Sequence, residues 1–145
     1  MSPVNGNIVV AGSRSGDFTD GYAGWVMRVT PSGDKTMEEV FLGEVQQDGW
    51  VDTWDIAVGT SVALYGGGKT IVGGYTRMVE DFGSGPPYEN ALTVWRLNNN
   101  GSLDETFGTG GYVRTDGAGD VAHAVAASGS KIVAAGDQYT VRYLG

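Results

Sequence analysis

Short apolar runs that end in glycine recur along this chain among polar stretches, and three of them fall at one spacing. They are Asn7-Ile8-Val9-Val10-Ala11-Gly12, Lys69-Thr70-Ile71-Val72-Gly73-Gly74 and Lys131-Ile132-Val133-Ala134-Ala135-Gly136, whose closing glycines lie 62 residues apart. A period of this size marks a copied supersecondary unit, and such a unit cannot bury its apolar face alone.

A second run follows each marker: Trp25-Val26-Met27-Arg28-Val29, Thr93-Val94-Trp95-Arg96-Leu97 and Thr140-Val141-Arg142-Tyr143-Leu144. One arginine recurs in each, at Arg28, Arg96 and Arg142, flanked by apolar residues as in a strand with two different faces. The first two runs end in turns, Pro31-Ser32-Gly33 and Asn99-Asn100-Gly101, where glycine supplies the positive φ of a tight connection. A third segment is clearest at Ser102 to Gly108 followed by Tyr112-Val113-Arg114-Thr115. The fourth is Trp54-Asp55-Ile56-Ala57-Val58 in one unit and His123-Ala124-Val125-Ala126-Ala127 in the next, which aligns His123 with Trp54. The pattern predicts about four strands per unit and roughly ten in all, the strand count of propeller blades.

The loop between the first two runs differs in each unit: Ser13 to Gly24, Tyr75 to Leu92, and only Asp137-Gln138-Tyr139. Loops of variable length on a constant scaffold are a usual home of binding function, and Met78 to Asn90 is the candidate here. A plain surface excursion remains the alternative.

Composition agrees with an all-β chain. Twenty-five glycines and four prolines imply many turns, and an apolar fraction of 41% argues against disorder. The formal charge of -8 argues against a nucleic-acid partner, which needs Lys and Arg to displace counterions. It suits plain solubility, or a cationic or neutral ligand such as a sugar. Cysteine is absent, so disulfides are excluded and the redox compartment is left open. No apolar run approaches the ~20 residues of a membrane helix, so no membrane partner is expected. No basic-then-apolar leader follows Met1, consistent with a mature, trimmed or never exported chain.

The stretch Asn100-Gly101-Ser102-Leu103-Asp104-Glu105-Thr106-Phe107-Gly108-Thr109-Gly110-Gly111 resembles the signature turn of the delta-60 repeat family of bacterial β-propellers. Ser130 to Gly136 and Val141-Arg142-Tyr143 resemble the same family's Lys-Ile-Val strand and Arg-bearing strand. The first unit departs, with Asp34-Lys35-Thr36-Met37-Glu38-Glu39 where the Leu-Asp-x-x-Phe-Gly signature would stand. The resemblance implies a β-propeller-like fold, a role in binding or surface architecture, and an exported or cell-surface setting. It carries no catalytic set. The expected chain is one repeat domain over 1–145, with units at 1–48, 49–116 and 117–145: about three blade-equivalents of four-stranded antiparallel sheet, the end blades incomplete. Exposed sheet edges pair with other chains, and rings close with about four to eight blades. A homodimer giving roughly six blade-equivalents is therefore expected, or about five if strands are shared. A fragment of a longer propeller is the competing reading.

The candidate chemistry is sparse. Ala63-Leu64-Tyr65-Gly66-Gly67-Gly68-Lys69-Thr70 loosely matches a phosphate loop, but a strand follows where a helix N-terminus should cradle the phosphate. A hairpin turn is expected, and no cofactor. His123 is the single histidine, without a second His or any Cys to complete a zinc site. Asp17, Asp20, Asp48, Asp52, Asp116 and Asp120 recur near turns, but neither Asp17–Gly21 nor Asp116–Asp120 has the spacing of a calcium loop. No metal is expected. Asn100-Gly101-Ser102 matches a glycan acceptor but is read as the repeat's own turn. Trp25, Trp54 and Trp95 lie on repeat-phased strands and are expected in the core, whereas Trp50 and Tyr88 are better placed to stack on a ligand.

The functional expectation is a non-catalytic structural or binding module that self-assembles and presents loops to a carbohydrate or small molecule. The alternative is a carbohydrate-active enzyme working with two channel carboxylates drawn from Asp52, Asp55 and Asp120. The candidate ligand-binding residues are Trp50, Asp52, Asp55, Tyr88, Asp120 and His123.

Overall fold

Runs rich in Val, Ile, Thr and aromatic residues, broken by Gly-containing turns, favour antiparallel hairpins over helices. The computed structural model describes residues 8–15, 22–38, 54–79, 90–115 and 120–145, which form ten strands in three antiparallel sheets. Sheet 1 is β1 (Ile8–Ser15), β2 (Tyr22–Val29) and β3 (Lys35–Glu38). Sheet 2 is β4 (Trp54–Tyr65), β5 (Lys69–Val79), β6 (Asn90–Leu97) and β7 (Tyr112–Thr115). Sheet 3 is β8 (Ala124–Ser128), β9 (Lys131–Ala135) and β10 (Thr140–Leu144). Each sheet is an up-and-down meander.

The pairing registers are congruent. Arg28 faces Val9, Arg96 faces Ile71 and Arg142 faces Val133, and those three partners are again 62 residues apart. The strands also reach further into the loops than the sequence pattern suggests. Ser13, Arg14 and Ser15 pair with Gly24, Ala23 and Tyr22. Met78, Val79 and Asn90 of the candidate binding loop are strand residues, and 80–89 lie outside the described residues.

Sheet 2 is the middle layer. Its β5 and β6 carry apolar residues in continuous runs, the pattern of strands covered on both faces. Val72, Trp95 and Leu97 point to sheet 1, where they meet Val26, Val9 and Ala11. Ile71, Leu92 and Val94 point the other way and pack on Ile132, Ala134 and Tyr143 of sheet 3. Trp95 is fully buried, as its place in the repeat predicts. Trp25 is only half-buried, and for Trp54 only the backbone is described.

The junction of sheets 2 and 3 explains a misalignment. Gly73 pairs with Ser61 and Ala135 with Ala124, so Ser61 corresponds to Ala124 and His123 to Thr60 rather than to Trp54. β4 runs 12 residues against 5 in β8, so its start at Trp54 lies well before Thr60, and the bulge between Gly59 and Ser61 adds one residue to that stretch. The bulge has a structural use. The Thr60 hydroxyl bonds the carbonyl oxygens of Gly73 and Ala122, and the Ala122 amide donates to the Gly74 oxygen. The 66–68 turn joins β4 to β5 as a hairpin, with Gly67 and Gly68 at φ 77° and 79°. No phosphate-loop helix follows.

The three period-marking glycines are needed for three different reasons. A Cβ on Gly12 would lie 2.6 Å from the Trp25 indole, one on Gly74 would strike the Val58 carbonyl, and one on Gly136 would strike the Asp120 carboxylate. Gly74→Ala should therefore force β4 and β5 apart and destabilise the chain by about 2 kcal/mol. Urea unfolding checks this; an unchanged midpoint would show that the hairpin yields freely.

Candidate functional site

Of the six residues nominated from sequence, Trp50, Asp52 and Tyr88 lie outside the described residues. Asp55 is placed by backbone alone, on β4 opposite Met78. Asp120 and His123 come close together at the entry to sheet 3, around the β9–β10 hairpin.

Asp120 is 1% exposed, and its carboxylate is held by backbone. Oδ1 accepts from the amides of Val121 at 2.9 Å and Asp137 at 2.8 Å, and Oδ2 from that of Tyr139 at 3.2 Å. The Gly136 amide donates to the Tyr139 oxygen at 2.8 Å, which closes the three-residue loop that the carboxylate fills. Gly136 has no side chain because that carboxylate occupies the space. A carboxylate bonded to three amides is an architectural acceptor, with little freedom to act as an acid or base on substrate.

His123 lies outside this cage. Its Nε2 is 2.9 Å from Asp137 Oδ1, with both side chains more than half exposed. Exposed pairs of this kind contribute little, about 0.5 kcal/mol. Its backbone amide donates to the Ala135 oxygen, so the residue's fixed contribution is to the ladder.

The most organised polar cluster is one that sequence reasoning did not nominate. Asp104, 3% exposed, stands in the turn between β6 and β7. One of its oxygens, Oδ2, accepts from Arg96 Nε at 2.7 Å and from Lys69 Nζ. The other, Oδ1, accepts from the hydroxyl and amide of Thr106 at 2.6 and 3.2 Å. Arg96 itself is 5% exposed, lies 5.4 Å from the Tyr65 ring centroid and 4.8 Å from that of Phe107, and donates to the Thr106 hydroxyl. Burial alone would push the Asp104 carboxyl up. Bonds from Lys69, Thr106 and Arg96 outweigh it and hold the group well below the usual carboxylate range. The sequence signal was present: the recurring arginine and the Leu-Asp-x-x-Phe-Gly turn are the two halves of this clamp.

On the same side of sheet 2, Tyr143 of sheet 3 packs edge-on to Phe107 and shares a hydrogen bond with Thr115. Burial raises its hydroxyl pKa, with the Thr115 bond opposing. Among the described residues no group of three His, Cys, Asp or Glu side chains is arranged to hold a metal ion, and no helix is long and apolar enough to cross a membrane.

Two predictions follow from these geometries. Asp104→Asn strands the buried Arg96 charge and should cost about 3 kcal/mol at neutral pH. Because the folded carboxyl is depressed, its contribution is complete above the unfolded value near ~4 and fades as pH falls toward the folded one. The stability gap between wild type and variant, read by urea titration, should therefore stay constant above about pH 5 and narrow only in acid. Asp120→Ala should leave buried amides without an acceptor and cost about 2 kcal/mol, whereas His123→Ala should stay within about 0.5 kcal/mol of wild type. Equal thermal shifts for the two would contradict the cage.

The Asp104 and Asp120 clusters brace the sheets. No family model matches the chain, and no curated protein or solved structure matches it.

Proposed function

We propose that this chain is a non-catalytic, propeller-type structural and binding module that assembles with a second copy of itself and offers its inter-strand loops to a ligand. The observation that carries the reading is the stack itself. Three meanders of congruent register lie face to face, the middle one covered on both sides and, among the described residues, each end one on a single side. Repeated units of this kind gain stability from neighbours, so the terminal units are the least complete. Sheets 1 and 3 also have three strands each, against four in sheet 2, among the described residues. The buried carboxylates support a module over an enzyme, because Asp104 and Asp120 are both engaged in bracing. The resemblance of Leu103 to Gly108 to the delta-60 signature supports the propeller-type reading, with six sheets from two chains falling within the range in which rings close.

The loops that differ between units, 16–21, 80–89 and 137–139, are the proposed ligand-facing elements, with a sugar or other neutral small molecule as ligand class. Light scattering on the purified chain should return twice the monomer mass at micromolar concentration. A single sharp species at the monomer mass would defeat the assembly. A glycan screen should show retention without cleavage products; turnover of any glycan would return the reading to an enzyme.

A further inference from the structure

Directly opposed residues of an antiparallel pair lie on one face of the sheet, so the registers say what each face carries. One face of every sheet bears the recurring arginine. In sheet 1 it holds Val9, Ala11, Val26 and Arg28 and packs on sheet 2; in sheet 2 it holds Ile71, Leu92, Val94 and Arg96 and packs on sheet 3. The three sheets are therefore stacked in one direction, arginine face onto the opposite face of the next.

Among the described residues, this order leaves two unlike faces with no sheet over them. On sheet 3 it is the arginine face, with Ala126, Val133, Ala135, Arg142 and Leu144; Leu144 is 74% exposed. On sheet 1 it is the opposite face, mainly apolar, with Ile8, Val10, Trp25, Met27 and Val29, and with the exposed Lys35 opposite Val29; Ile8 is 49% exposed and the other apolar residues half-buried. The two end faces are related as the two sides of each internal junction are. A polar contact of the first junction indicates how the arginine would be used. Arg28 donates to the backbone oxygen of Asn99 at 2.6 Å and to its side-chain oxygen at 3.1 Å, in the turn after β6 of the next sheet. The corresponding turn of sheet 1 is Thr30–Asp34, closed by bonds between Thr30, Gly33 and Asp34 and carrying the exposed carboxylate of Asp34. Arg142 is exposed and has no polar partner among the described residues.

We infer that the uncovered arginine face of sheet 3 docks head to tail on the uncovered apolar face of sheet 1 of a second copy, with Arg142 reaching that copy's Thr30–Asp34 turn. This inference rests on the assembly reading above and names its surface. Each junction joins unlike faces: each copy gives sheet 3 to one junction and sheet 1 to the other, so two copies related by a two-fold axis close with two equal junctions. The second copy is preferred to an unrelated protein because this chain already makes the same kind of junction twice within itself.

Because the two junctions are equivalent, the contact has a charge-swap test. Arg142→Glu alone places two acids at both junctions, and Asp34→Arg alone places two cations at both. Each variant should raise the dimer dissociation constant about 100-fold and run as monomer in light scattering. An equimolar mixture of the two should return to the wild-type mass, because one junction is then charge-swapped and the other native. Leu144→Glu, at a site that folding leaves exposed, should dissociate the dimer by itself, with circular dichroism confirming that each variant is folded. Variants that all keep the wild-type mass, or a mixture that stays monomeric, would overturn this surface while leaving assembly intact. A monomeric wild type would instead overturn the assembly reading from which it grew.

Discussion

A sheet that is apolar on both faces has to be covered on both, and sheet 2 imposes that demand on everything else in this chain. Ile71 and Val72 are adjacent on β5, point in opposite directions, and are both completely buried. Trp95 and Val94 repeat the arrangement on β6. Fully burying side chains of this size stabilises by roughly 1.5–3 kcal/mol each, provided that a partner surface exists. Sheets 1 and 3 supply it, and their positions follow from it. Coverage passes outward one layer at a time, from the centre of the stack to its end sheets.

Close approach of backbone is what lets the layers meet. At the junction of sheets 2 and 3 a glycine pair, a bulge and one threonine hydroxyl bring Gly73 and Gly74 against the segment entering β8. The Ala122 amide then donates to the Gly74 oxygen, a main-chain bond between elements of different sheets. That bond satisfies a buried polar group that packing alone would have left bare. The period-marking glycines therefore preserve a distance between backbones. What occupies the space differs in each unit: an indole, a carbonyl or a carboxylate.

This explains what could be read from the chain beforehand. Strand identity was legible because period-2 alternation and the recurring arginine are local, and the 62-residue interval carried the register of β1, β5 and β9. The phase of β4 was not legible. β4 is 12 residues long and β8 only 5, so their starts do not correspond, and Trp54 and His123 resemble each other only as ring-bearing residues before an apolar run. Asp120 looked like a turn aspartate. Its partners Asp137 and Tyr139 lie 17 and 19 residues on, so the cage that defines it is a tertiary fact. Asp104 was the reverse case: its signature was visible, but a motif says which residues recur and not that burial among cations fixes their charge. Trp50, Asp52 and Tyr88 fall outside the described residues, so for them only the sequence speaks.

The recurring arginine shows how one position can serve two architectures. Where Leu103-Asp104-Glu105-Thr106-Phe107-Gly108 follows the strand, Arg96 turns back to its own sheet, bonding Asp104 and lying over Phe107. Where Asp34-Lys35-Thr36-Met37 follows instead, Arg28 has no such turn to bind and reaches across to Asn99 of the next sheet. The side chain is long enough for either, and the turn chemistry after the strand decides between them. The turn that follows the strand thus decides between an intra-sheet brace at Arg96 and an inter-sheet bridge at Arg28, which changes how the layers are joined while their order stays the same.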